Sequence, residues 1–380
     1  MNRIGWLDTL RVLASFLVII SHYSYAVAEV PSVEDFLHTY VLRIGQIGNM
    51  LFFAVSGYLA SNSLEHSKSI WEFYRRKIIR IAVPFAVAYL VLATLLILFG
   101  MFEPSLADQS PLKKVINTGG SYTAFLIGMT PLSMDRNFLF IFDLPVYKFI
   151  GEWFIGIIIW LYLISPLLDK CLRRNFFLTV FAAILISFGT FELTKFLHAQ
   201  GLITKAQVGV VFPVRIPEFL FGMILYVKKD FIAAHFQKLI YIFAGLLAVL
   251  TCYELNFYPY KGSFFEKLIM DHPPNIWKYL FAASIFTFLI YSASIYLNKR
   301  FENLMAWFNN FSKISYVAML IQHVIIYRFT ASYDFSTMSK FGILFFLAVI
   351  ILTTIFLSEQ IHKVYKPLEE RLIKRRLFLE

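Results

Sequence analysis

The sequence predicts an all-α fold: a polytopic membrane helical bundle of about ten transmembrane helices, with both termini cytoplasmic. Three observations lead there. Of 380 residues, 59% are hydrophobic and only 16% are charged, with a mean hydropathy of +0.67, a balance foreign to soluble domains. Apolar runs of roughly the 17–25 residues needed to cross a bilayer can be placed ten times. Lys and Arg gather between alternate runs, which is how cytoplasmic loops are marked.

The ten runs cover 10–29, 43–63, 78–100, 151–169, 176–195, 207–227, 238–256, 276–297, 313–331 and 341–362. With the N-terminus inside, 21 of the 35 Lys and Arg residues fall on the inner side and 12 on the outer. Arg11 and Arg215 lie within runs. The net charge of +11 is therefore a topology signal, and membrane lipids rather than nucleic acid are the expected surroundings. Cys171 and Cys252 supply neither a ligand cluster nor a disulfide framework, and no metal site is expected. The first run, interrupted by Arg11 and His22, is too polar for a cleaved signal peptide. Residues 1–380 thus read as one transmembrane domain.

One connection is long. Residues 101–150 lie outside in this topology and hold Pro104, Pro111, Pro131 and Pro145. Loops of this length are often lids or binding loops. Tyr122, Phe138, Phe140, Phe142 and Tyr147 read equally as rings that stack on sugars or as interfacial anchors.

The first helix carries the sharpest signal. Eleven residues separate Arg11 from His22, and eleven steps of about 100° return to nearly the same azimuth. The two share a face about 16 Å apart along the axis, with Asp8 and Ser15 on the same stripe. A charge inside a membrane helix costs about 2.5–3.5 kcal/mol on insertion scales, so this face belongs to a protein interior or a wet cavity. A histidine there serves a site or simply packs.

The second helix holds Gly48-Asn49-Met50 and Ser56-Gly57-Tyr58, where small residues suit close helix packing. The third opens with Arg75-Arg76-Lys77 and continues to Arg80 and Pro84. For Arg75 and Lys77, topology setting is sufficient. Arg76 and Arg80 are i,i+4 neighbours on one face, an arrangement suited to phosphate. The fourth begins at Glu152-Trp153, where Trp is an interfacial anchor. In the sixth, Arg215 and Glu218 at i,i+3 can neutralise each other beside Pro217, either as a structural ion pair or facing a ligand. His323 ends the stretch that starts at Ser315-Tyr316. It reads as a packing group or a site residue.

At these positions the chain resembles the acyltransferase-3 family of bacterial integral-membrane O-acyltransferases, over nearly its whole length. Trp6-Leu7-Asp8-Thr9-Leu10-Arg11 is similar to the family's opening, with His22 at its Arg-x10-His spacing. Phe52-Phe53-Ala54-Val55-Ser56-Gly57-Tyr58, the basic cluster before Pro84, Trp153-Phe154, Glu218-Phe219-Leu220-Phe221-Gly222, Ser315-Tyr316 through His323, and Tyr365-Lys366-Pro367-Leu368 follow in family order. Departures are Val12 where Gly is usual, a spacing from Arg80 to Pro84 one residue longer than common, and Lys77 where a second arginine often stands. The C-terminal esterase-like soluble domain of some members is not expected here.

The resemblance implies an O-acetyltransferase of the bacterial cytoplasmic (inner) membrane. It would move an acyl group, acetyl first, from cytoplasmic acyl-CoA to a hydroxyl of a cell-envelope polysaccharide or glycolipid sugar. No cofactor is permanently bound; acetyl-CoA is the donor substrate. Arg76 and Arg80 would hold coenzyme A phosphates, Arg11 would orient the thioester end, and His22 would be the general base, a role suited to histidine. Glu152, Trp153, Arg215, Glu218 and His323 would face substrate. Two other readings stand beside it: a secondary transporter using Arg11, His22, Arg215 and Glu218 as a relay, and the same enzyme class using succinyl-CoA. The chain shows no repeated halves, as such transporters often do.

Overall fold

A computed structural model describes residues 4–27, 30, 44–98, 126–134, 150–151, 153–203, 210–257, 276–335 and 337–374. All regular elements among them are helical. The α-helices are α1 (Gly5–Ala26), α2 (Ile44–Glu65), α3 (Ile70–Leu98), α4 (Trp153–Arg174), α5 (Phe176–Ala199), α6 (Ile216–Val227), α7 (Lys229–Ala234), α8 (Phe236–Phe257), α9 (Ile276–Arg300), α10 (Glu302–Asn309), α11 (Ser315–Ser332) and α12 (Lys340–Lys374). The protein is an all-α polytopic bundle.

Each of the ten apolar runs has a helix on it, yet length and hydropathy qualify fewer as spans. Among the described residues, α1, α3, α4, α5, α9 and α12 are long and apolar enough to cross a membrane unaided. A seventh arises if α10, its following 3-10 turn and α11, bent by 64°, count as one span. The run 207–227 is not one continuous helix. A 3-10 turn at Phe212–Arg215 precedes α6, which has only 12 residues, about 18 Å of helix at 1.5 Å per residue against a hydrocarbon core near 30 Å. Pro213 and Pro217 each lack the N–H that a continuous helix would need. The described part of 101–150 is residues 126–134 and 150; Tyr122, Phe138, Phe140, Phe142 and Tyr147 lie outside the described residues.

Glycine sets the tightest crossings. A Cβ on Gly57 would collide with the Phe219 carbonyl oxygen, and one on Gly222 with the Ala54 carbonyl oxygen. As one residue number rises the other falls, so α2 and α6 run antiparallel with backbones in contact, as small residues permit in membrane helices. Against α1, a Cβ on Gly48 would lie 2.7 Å from the Ala14 carbonyl oxygen and one on Gly45 2.8 Å from Ser21 Cβ. The small residues of the second helix are packing residues.

α1 is central. It is antiparallel to α2 and parallel to α11, with Ser15 against Ser315 and His22 against Gln322. Its N-terminal turn is fastened by amides: Thr9 Oγ1 donates to Asn309 Oδ1 at 2.8 Å, Asn298 Nδ2 donates to Thr9 Oγ1 at 2.7 Å, and Asn309 Nδ2 donates to Asn298 Oδ1 at 2.9 Å. Trp6 sits edge-on to Tyr58 and Tyr291. Satisfied polar networks of this sort fix one register for the helix they hold.

Candidate active site

Two polar centres lie on the α1 stripe. The first begins with Asp8, buried at 4% exposure. Its Oδ1 accepts from Arg11 Nη1 at 3.2 Å and from Ser312 Oγ at 2.8 Å. Asp8 thereby holds the guanidinium base while about a third of the Arg11 side chain stays accessible.

α3 brings two more cations to the same end. Lys77 is buried at 7% exposure; its ammonium donates to the Leu59 carbonyl at 3.1 Å and lies 4.5 Å over the Tyr162 ring. Arg80 is exposed. Arg11 and Arg80 are both close enough to Lys77 and Tyr162 to act on them electrostatically. The Tyr162 hydroxyl shares a hydrogen bond with Ser56. Basic side chains from α1 and α3 therefore converge near one phenol from α4, and among the described residues neither Lys77 nor Arg80 forms an ion pair. Such an excess of positive charge is matched by an anion, and guanidinium and ammonium groups are the usual phosphate binders.

The second centre lies eleven residues along α1. The His22 and His323 rings stack with centroids 4.0 Å apart and planes 22° from parallel. Tyr327 also stacks with His323, at 5.8 Å. The Gln322 side-chain amide meets His22 Nδ1 at 2.6 Å. Both histidines are half-buried, whereas Gln322 is fully enclosed. An imidazole with one ring nitrogen held and its face covered is an oriented acid–base group.

The other residues singled out in the sequence fall elsewhere. Arg76 pairs with Glu72 at 2.6 Å, one turn back on α3. Arg75 donates from Nη1 and Nη2 to the Leu372 and Ile373 carbonyls, each at 3.1 Å, capping the C-terminal turn of α12. Arg215 and Glu218 form a buried pair at 3.2 Å, and the guanidinium lies 5.2 Å over the Trp153 ring. Glu152 lies outside the described residues. Its neighbour Gly151 has φ +110° and donates its N–H to the Leu320 carbonyl at 2.8 Å. A Cβ there would strike Met134 Sδ, so only glycine suits this start of α4.

Sequence reasoning missed two members of this arrangement. Lys77 read as a topology lysine, although its i,i+3 relation to Arg80 puts both on one face. Gln322 was passed over beside His323; an amide in an apolar helix was the available signal.

Fold and site together define a multi-pass membrane protein with a polar, chemically equipped wall inside the bundle. A family model described as an acyltransferase domain matches residues 4–357, and the chain belongs to that acyltransferase-3 family. It is a membrane acyltransferase. Comparison with curated proteins and with solved structures gives no match. Membership in an acyltransferase family sets the transporter reading aside.

Proposed function

We propose that the protein is an O-acetyltransferase of the bacterial cytoplasmic membrane, moving an acetyl group from cytoplasmic acetyl-CoA to a hydroxyl of an envelope polysaccharide or glycolipid sugar. The observation that carries this reading is the pairing of two unlike centres on one helix face, cations around Arg11 and an oriented imidazole at His22. The eleven helical steps between them span about 16 Å, comparable to the reach of a pantetheine arm. One donor then touches both centres.

In this mechanism Arg80 and Lys77 hold the donor's phosphates at the inner face, and Arg11, steadied by Asp8, orients the arm that ends in the thioester. His22 takes the proton from the acceptor hydroxyl as its oxygen attacks the thioester carbonyl. The carbon–sulfur bond breaks, and the leaving thiolate regains a proton from the imidazolium. Arg76, already paired with Glu72, ranks below Lys77 as a donor contact. Trp153, Arg215, Glu218 and His323 remain the proposed acceptor side, together with Glu152, which precedes Trp153 in sequence.

Purified protein should consume acetyl-CoA only when a sugar acceptor is supplied, and mass spectrometry of envelope glycans from a deletion strain should lose one acetyl species. A succinyl species lost instead identifies the donor as succinyl-CoA. Sidedness has its own test in a cysteine-free background: an impermeant reagent should label Lys113→Cys from outside and miss Lys229→Cys. The reverse pattern would remove the donor-side assignment.

A further inference from the structure

An imidazole that serves as a base needs more than a suitable position. Its two nitrogens are distinct, and the one facing the acceptor must carry a lone pair. What the other nitrogen touches decides this. In the bundle, the stack with His323 fixes the plane of the His22 ring but supplies no in-plane hydrogen bond, because stacked rings present faces and not edges. The in-plane contact of Nδ1 is the Gln322 amide at 2.6 Å.

We infer that Gln322 is a positioning residue for acyl transfer: its side-chain amide fixes the rotation of the His22 ring and holds the proton on Nδ1, so that Nε2 receives the acceptor's proton. The inference rests on the acyl-transfer reading above, with His22 as the base. Drawn with its nitrogen toward His22, the amide donates to Nδ1. A half-turn of the amide, whose nitrogen and oxygen are interchangeable in shape, places Oε1 there to accept from Nδ1–H. The second orientation is the working one.

Three features fit this role. Gln322 has 0% exposure, so its amide is held in place and not averaged by solvent. α11 runs parallel to α1, with Ser15 against Ser315 and His22 against Gln322, so the pairing belongs to the helix register and does not depend on a mobile loop. An amide also orients the ring without bringing a net charge into the membrane interior, where ionised groups are expensive. A carboxylate in the same place orients histidine in serine hydrolases; here a neutral group does it.

The test uses the full-length protein with ring-15N histidine, the His22 signals being assigned by difference from His22→Ala. Wild type should show the Nδ1–H tautomer at His22. Gln322→Leu keeps the side-chain size and should express and run as wild type on size exclusion. It should show both tautomers and lose about ten- to a hundredfold in kcat, the lower part of what a general base supplies. Its KM for acetyl-CoA should stay within about twofold, because the donor cations are remote from the ring. Gln322→Glu, which keeps an oxygen facing Nδ1, should recover most of the loss. A wild-type ring protonated on Nε2, or a Gln322→Leu protein with native kcat, would overturn the inference, and the first of these needs no Gln322 variant to fold. An active His22→Ala protein would instead overturn the acyl-transfer reading itself.

Discussion

The two ends of the α1 stripe are built on opposite principles. At the Arg11 end, basic side chains of α1 and α3 gather near Tyr162, and the buried carboxylate of Asp8 holds Arg11. At the His22 end, the ring face lies on His323 and Nδ1 meets an enclosed amide. In the proposed function the first arrangement receives an anion, the donor's phosphates. The second is organised before any substrate is present. The difference separates binding from chemistry: charge left over recruits a ligand, whereas a fixed imidazole lowers a barrier.

The sharpest way to break this division is at the histidine. His22→Ala should reduce acyl transfer by about 10²–10⁴-fold, the contribution of a general base, while leaving acetyl-CoA binding near native. Isothermal titration and turnover on the same preparation separate the two quantities. A variant that loses donor binding and activity in parallel would join the two centres into one site.

A second test concerns the buried ion pair. Arg215 and Glu218 are buried with each other, so removing one partner strands the other's charge. Glu218→Gln or Arg215→Ala should destabilise the protein by about 3–5 kcal/mol, read as a fall in the thermal unfolding midpoint in detergent. Native stability in either variant would mean that the two side chains do not depend on each other for burial.

How much of this was legible beforehand follows from the physics of each feature. Apolar length and basic loops locate helices because they are local properties, and all ten runs carry one. The break before α6 escaped because hydropathy counts residues whether or not the backbone is continuous; Pro213 and Pro217 were the visible warning. Arg11 and His22 were found because helical periodicity alone aligns them. The partners of His22 were not, since Gln322 and His323 are 300 residues away in sequence, and no local pattern reports which helices run side by side. Lys77 was hidden for another reason. A lysine beside an apolar run looks the same whether it faces water or, as here, a half-buried tyrosine.

The third test weighs the cations. Lys77→Ala and Arg80→Ala should each weaken acetyl-CoA binding by about 1.5–3 kcal/mol, the worth of a charge-assisted contact, with kcat at saturating donor nearly unchanged. Lys77→Ala also removes the hydrogen bond to Leu59, so Lys77→Arg is the companion variant: charge is kept and binding should largely survive. If Arg80→Ala binds the donor as wild type does, the cluster is a topology signal and the comparison between the two ends collapses.

The smallest effect belongs to Arg76, and it marks the edge of the cluster. On sequence grounds Arg76 and Arg80 are equivalent, one turn apart on one face. The structure distinguishes them: Arg76 lies 2.6 Å from Glu72, both side chains partly accessible, whereas Arg80 forms no ion pair among the described residues. A paired guanidinium presents little net charge to a phosphate, and partly exposed pairs contribute about 0–1 kcal/mol to stability. Arg76→Ala should therefore change donor affinity less than threefold, about 0.6 kcal/mol on the scale where 1.4 is tenfold, and should leave the unfolding midpoint within a degree or two. Glu72→Gln sharpens the point, because it frees Arg76 without removing it and should tighten donor binding slightly. If Arg76→Ala weakens binding as much as Lys77→Ala does, Glu72 must release its partner when the donor arrives, and the cluster would extend a full turn further down α3.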